Sequence, residues 1–186
     1  QYPAGSAIVA GLLLPVLGPW AFIIFNVLAG VLTLFTVRTI CLHQFNSEVV
    51  ARIATVLLVA GTFWVEFAVG IWPHTLSAFL AIHAYRFALR HLDADDNESR
   101  YALLSGLFAG TGILFRLDAA FAIPAIGLIM VLLARRFMRS ACLFAAGVLP
   151  SVMLASWFNH LKFGTLNPFS YGRFTGSTHM ASYGPL

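Results

Sequence analysis

Apolar residues fall in long blocks along this chain, separated by short polar or charged interruptions. A bilayer core of about 30 Å needs roughly 20 apolar residues per helix. On that scale six blocks are predicted as membrane-crossing helices, at residues 20–42, 49–71, 74–91, 101–116, 117–134 and 140–160. A shorter run at 6–17, closed by Leu17-Gly18-Pro19, is too short to cross and reads as an interfacial or re-entrant helix. The expected fold is therefore all-α: a polytopic transmembrane helix bundle of about six spans plus one short interfacial helix. Residues 1–186 form a single domain in this reading, with an interfacial segment at 1–19, the bundle at 20–160 and an external loop at 161–186. No internal repeat is visible.

The boundary at 116/117 rests on an energetic argument. Phe115-Arg116-Leu117-Asp118 sets two charges between two apolar runs. One continuous helix would hold both in hydrocarbon, at about 2.5–3.5 kcal/mol each. A tight external turn removes both, so a turn is expected there.

Composition supports the membrane reading. Hydrophobic residues make up 60% of the 186 residues and charged residues only 10%, against roughly 25% charged in soluble domains. The mean hydropathy is +0.86. Too few charged groups are present to clothe a water-facing surface, which excludes a cytosolic enzyme, a disordered tail and a disulfide scaffold. Cys41 and Cys142 show no metal-ligand spacing. The formal net charge of +4 does not imply nucleic acid here, because the basic residues lie between apolar segments and serve to orient the chain. Arg135, Arg136 and Arg139 form the densest basic loop, which is expected to be cytoplasmic. Arg38, Arg52, Arg86, Arg90 and Arg100 then fall on the same side, and Arg116, Lys162 and Arg173 on the other. The acidic run Asp93–Glu98 also lands inside, which the rule tolerates because acidic residues contribute little to it. Trp20, Trp64, Trp72 and Trp157 lie near the outer ends, as an aromatic belt would.

Several residues could carry chemistry. Glu66 is predicted within a span, about six residues or ~9 Å from its outer end, where a carboxylate must pair, protonate or face a wet cavity. It is expected to pair with Arg116 or lie near His74, with a helix-packing ion pair as the structural alternative. Arg116 at an external junction suits a phosphate, because its planar fork donates two parallel hydrogen bonds; a snorkelling interfacial arginine is the alternative. Asp118, two residues on, is expected not to share a helical face with it, and its charge would weaken a simple phosphate site. His74 follows Trp72-Pro73 and could act as a base, donate to a sugar or phosphate, or cap its helix. Asn26, a lone polar residue in an apolar block, is expected to hydrogen-bond between helices. The histidine spacing gives no zinc pair, and no glycine-rich phosphate loop, GxSxG or HExxH is present.

Two stretches resemble a known family. Tyr2-Pro3-Ala4-Gly5-Ser6 is similar to the YPPG-type segment of GT-C superfamily glycosyltransferases, with Ala4 in place of the second proline. These include protein O-mannosyltransferases and bacterial lipid A aminoarabinose transferases. Trp157-Phe158-Asn159, then Phe163-Gly164 and Tyr171-Gly172, resembles the family's aromatic-Asn-x-x-x-Phe-Gly and Tyr-Gly pattern. Gly106-Leu107-Phe108-Ala109-Gly110 leading to Arg116, with Pro124 and Arg135-Arg136, looks like its short helix pair. The resemblance implies a membrane glycosyltransferase acting on the non-cytoplasmic side of a bacterial plasma membrane. It implies a polyprenyl-phosphate-sugar donor, an acceptor glycan, lipid or protein, and inversion at the anomeric centre. Glu66, His74, Arg116, Asp118, Lys162 and Tyr171 are the expected substrate-binding residues. The family's catalytic carboxylate is expected upstream of Gln1, so the piece alone is expected to be inactive, and a divalent metal is left open. A transporter or flippase-like carrier is the competing reading; the missing repeat argues against it.

Overall fold

The structure is a computed structural model that describes residues 4–93 and 99–169. Every regular element among them is helical. In order these are α1 (Ala4–Leu17), a 3-10 turn (Gly18–Trp20), α2 (Ala21–Phe45), α3 (Glu48–Ala60), α4 (Trp64–Val69), α5 (His74–Asp93), α6 (Ser99–Ile113), a second 3-10 turn (Leu117–Phe121), α7 (Ala122–Leu133) and α8 (Phe137–Phe163).

Local signals explain the boundaries. Gly18 and Pro19 close α1, with Gly18 at φ +56. Asn46, in the left-handed conformation at φ 47, ends α2, and the Ser47 hydroxyl accepts from the Val50 N–H to start α3. Gly164 at φ +67 ends α8, the position glycine favours because it has no Cβ.

The helices run antiparallel and create two poles. At one, Arg38 and Arg52 both bond Glu48, His43 meets Asp93, His91 meets Ser140 and Arg139 donates to Ser99. Arg86, Arg90, Arg100, Arg135 and Arg136 belong to this end as well. At the other pole the Gly5 N–H donates to the Leu114 carbonyl at 2.7 Å, and Asn26 donates to the carbonyls of Gly70 and Trp72 at 2.8 and 2.9 Å. Arg116, Asp118 and Lys162 lie at this second pole. The expected hydrogen-bonding role of Asn26 is thus realised, across two segments of chain.

Packing is inverted relative to a water-soluble domain. The buried positions are largely small: Ala21, Ala29, Ala51, Ala84, Ala88, Ala102 and Ala109, with Thr33, Thr36, Thr75, Ser105 and Ser151. Large apolar side chains cover the outside, among them Leu28, Leu32 and Phe35 on α2, Leu132 and Leu133 on α7, and Met153, Trp157 and Leu161 on α8. Small residues allow helices to approach closely in lipid, where burying leucine gains little. Gly106 and Gly147 sit where α6 and α8 touch backbone to backbone. Ser105 donates to the Ala84 carbonyl at 2.8 Å and Thr111 meets Ser151 at 3.1 Å, which satisfies these three hydroxyls between helices.

Helix length and hydropathy support part of the expected span count. Among the described residues two helical stretches, Gly11–Phe45 and Phe137–Phe163, are long and apolar enough to cross a membrane. At about 1.5 Å per residue the 13 residues of α3, 15 of α6 and 12 of α7 are each too short alone. The block at 49–71 is broken, not continuous. Gly61 caps α3, the Thr62 hydroxyl turns back onto the Leu58 carbonyl at 2.5 Å, and that hydroxyl also accepts from the Trp64 N–H at 3.1 Å. Thr62 thereby ends one helix and starts the next. The run at 6–17 is helical and joins α2 through only a 3-10 turn.

Candidate functional site

The turn expected at 116/117 is present and builds the site. α6 ends at Ile113, and Arg116 takes an extended conformation, φ −149 and ψ 134, before the 3-10 turn. This geometry overturns one expectation. Arg116 and Asp118 do share a face: Arg116 Nε and Nη2 donate to Asp118 Oδ1 and Oδ2 at 2.8 and 2.5 Å. The rule that residues two apart diverge holds for an α-helix; an extended residue entering a tighter turn brings both side chains to one side. Arg116 is the more enclosed partner, with 27% of its side chain exposed against 54% for Asp118. The Arg116 guanidinium holds the Asp118 carboxyl below its usual range, so the carboxylate stays charged and orients the arginine.

Three further segments converge here. Gly5 seats the start of α1 on Leu114; a Cβ at Gly5 would stand 2.5 Å from the Leu114 carbonyl oxygen, so no side chain fits. Val9, Ala29, Leu76, Ile113, Leu114, Phe115 and Ala155 pack into one apolar cluster beneath the turn. His74, the first residue of α5, stacks on Phe67 with ring centroids 4.4 Å apart and meets the edge of Trp72 at 6.3 Å. The charges of both Arg116 and Asp118 act on the His74 ring. His74 Nδ1 is buried with no hydrogen-bond partner among the described residues, as are the hydroxyls of Ser6 and Thr75. The great majority of buried polar atoms in proteins are paired, so these three stand out at this pole. A capping role through Nδ1 is thereby ruled out for His74.

A profile of the dolichyl-phosphate-mannose-protein mannosyltransferase family matches residues 7–158. The chain belongs to that family. Comparison with curated proteins and with solved structures gave no match. Membership in this mannosyltransferase family supports a membrane glycosyltransferase, in keeping with the apolar exterior; the carrier reading is not favoured.

The mannosyltransferase match contains Glu66, His74, Arg116 and Asp118 and stops short of Lys162. Arg116, Asp118 and His74 are brought together. Glu66 lies in the first turn of the short α4, exposed, with no ion pair to Arg116 among the described residues. The helix break at Gly61–Phe63 sets it on a separate short helix, and Phe67 beside it is the residue that reaches His74. Lys162 is exposed in the last turn of α8, at the same pole but in no described contact with Arg116. Tyr171, like Tyr2 and Pro3, lies outside the described residues. The Asn159 amide donates to the Asn167 carbonyl at 2.8 Å, folding the segment after Gly164 back on α8. Asn159 and Gly164 thus have a local physical reason.

Ser6 and Thr75 were not singled out from sequence. A hydroxyl beside each of two recognisable junctions, Gly5 and His74, was the available signal.

Proposed function

We propose that this chain forms the membrane core of a glycosyltransferase that moves a sugar from a polyprenyl-phosphate donor to an acceptor hydroxyl at the Arg116 pole. The core is a polytopic bundle, with α1 and α4 as short elements packed on its crossing helices. The arginine-rich pole faces the cytoplasm of a bacterial plasma membrane, following the bias of basic loops, and the Arg116 pole faces the other side. What supports this most is one observation: the Arg116–Asp118 pair and the unpartnered His74 Nδ1 meet at one end of the bundle, opposite the arginine-rich end.

The chemistry follows from charge. The acceptor oxygen attacks the anomeric carbon as the bond from that carbon to the phosphate oxygen breaks, and the acceptor proton passes to a general base. No residue of this chain is assigned as that base. The lipid phosphate leaves with the bonding electron pair, and Arg116, positioned by Asp118, stabilises its developing charge. His74 Nδ1 and the Ser6 and Thr75 hydroxyls are the polar groups left to meet phosphate or sugar oxygens. Glu66, Lys162 and Tyr171 are proposed as outer contacts for sugar or acceptor. A single displacement inverts the anomeric centre.

The test is donor binding by the full protein in proteoliposomes, with radiolabelled polyprenyl-phosphate-mannose. Arg116→Gln is expected to weaken binding about tenfold or more, the worth of a charge-assisted hydrogen bond. Unchanged binding by that variant would sink the phosphate role. Cysteines placed at Asp118 and Ser47 should react with an impermeant maleimide from opposite sides of the membrane; labelling from one side would sink the orientation.

A further inference from the structure

A second polar site lies at the opposite pole. A pocket of about 150 Å³ opens between α2 and α5, lined by Thr39 and His43 from one helix and by Arg86, Leu89, Arg90 and Asp93 from the other. Ile40 and Leu89 make its apolar wall. Arg86 and Arg90 are one turn apart and so project from the same face of α5. Arg86 Nε is buried and has no hydrogen-bond partner among the described residues. Arg90 is exposed, its guanidinium 5.9 Å from the Tyr101 ring centroid. The carboxylate in the pocket, Asp93, is engaged at 2.7 Å by His43 Nε2. Thr39 already donates to the Phe35 carbonyl at 2.7 Å, so its oxygen can accept but its proton is used.

Two like charges one turn apart repel, and a buried donor on one of them lacks an acceptor among the described residues. An anion with several oxygens would resolve both: it neutralises the pair and accepts from both planar forks, which match phosphate geometry. The neighbouring surface narrows the source. One turn along α2 from Thr39 lies Phe35, 64% exposed, and beyond it Leu32, 49% exposed. An acyl chain would run along that strip while its headgroup sat between the arginines. Basic pockets between helices on the cytoplasmic side are where anionic lipid headgroups settle.

We propose that this pocket binds the phosphate of an anionic phospholipid, held by Arg86 and Arg90 at the arginine-rich pole. It is separate from the donor site and needs no sugar.

Titration of the full protein in detergent, read by native mass spectrometry, tests the assignment with three probes: phosphatidylglycerol, phosphatidylcholine and inorganic phosphate. Phosphatidylglycerol is expected to bind in preference to phosphatidylcholine. Arg86→Gln and Arg90→Gln are each expected to weaken it about fivefold or more. Arg52→Gln, at the same pole but paired with Glu48 outside the pocket, should leave it unchanged. Equal binding of the two lipids, or equal loss in Arg52→Gln, would overturn the site in favour of general surface charge. Inorganic phosphate that binds as tightly as phosphatidylglycerol would overturn the lipid assignment. Should Arg86→Gln fail to fold, the exposed Arg90→Gln still decides: undiminished lipid binding in it refutes the proposal.

Discussion

A Cβ at Gly106 on α6 would stand 1.9 Å from the Phe144 carbonyl oxygen on α8. Reciprocally, a Cβ at Gly147 would stand 2.1 Å from the Leu103 carbonyl oxygen. Backbone meets backbone at both points, so no rotamer change relieves the clash and the helices must separate. Gly106→Ala is therefore expected to destabilise the bundle by at least the ~1–3 kcal/mol typical of overpacking. Gly11 offers a control, since nothing lies within 4 Å of a Cβ there. Thermal unfolding in detergent should show a clear fall for Gly106→Ala and little change for Gly11→Ala. Equal behaviour of the two would mean that α6 and α8 do not touch as described.

Asn26 anchors the segment between α4 and α5 by donating to Gly70 and Trp72. Asn26→Leu removes both hydrogen bonds. Hydrogen bonds between membrane helices average about 0.6 kcal/mol, and buried unpaired groups cost about 1–3 kcal/mol. The loss should thus lie at about 1–3 kcal/mol. It should be accompanied by faster proteolysis between Gly61 and Pro73, because the substitution frees that stretch before it unfolds the bundle. Proteolysis unchanged from the parent chain would count against the anchoring role.

What the sequence made legible and what it hid follow from one physical distinction. Hydrophobic blocks and charge placement report the coarse layout. The helical class, the turn at 116/117 and the gathering of basic residues at one end all follow from the cost of charge in hydrocarbon. Local backbone decisions are not reported by block hydropathy. Gly61 and Thr62 split an apolar run that looked continuous, because threonine's hydroxyl can serve two backbone partners at once. That split sets Glu66 on a short helix of its own, α4. The Arg116–Asp118 pair was hidden for a similar reason: helical spacing was applied to residues in an extended-to-3-10 junction. The pocket at Arg86 and Arg90 needed two helices in register, which only Thr39 and His43, also one turn apart, could have hinted at.

The Arg116–Asp118 pair has a pH signature. The arginine lowers the Asp118 pKa from the ordinary 3.8. A depressed carboxyl contributes stability that is fully present above its unfolded value and lost as pH falls through the folded one. The stability difference between the parent chain and Asp118→Asn should therefore be constant from neutral pH down to about 5. It should shrink as pH drops below about 4. The side chain is half exposed, so the difference is expected to be small, in the range of surface pairs at about 0–1 kcal/mol. Chemical denaturation at several pH values measures it; a difference that grows toward acid would contradict the pairing.

His74 presents a stability–function conflict that a single substitution can separate. Its ring lies against Phe67 and Trp72, yet Nδ1 is buried with no hydrogen-bond partner among the described residues. An orphaned buried polar atom costs about 1–3 kcal/mol, and it persists in a native protein only where something else requires it. Phenylalanine keeps the stacking surface and removes the nitrogen. His74→Phe is expected to raise thermal stability, or at least not lower it, while it weakens donor binding about tenfold, the worth of a charge-assisted hydrogen bond to phosphate. His74→Ala is expected to lower both, because it also removes the stacked ring. A phenylalanine variant that gains stability and keeps donor affinity would remove His74 from the site and leave its buried nitrogen a packing defect. A phenylalanine variant that loses stability would show that Nδ1 is satisfied by a group outside the described residues.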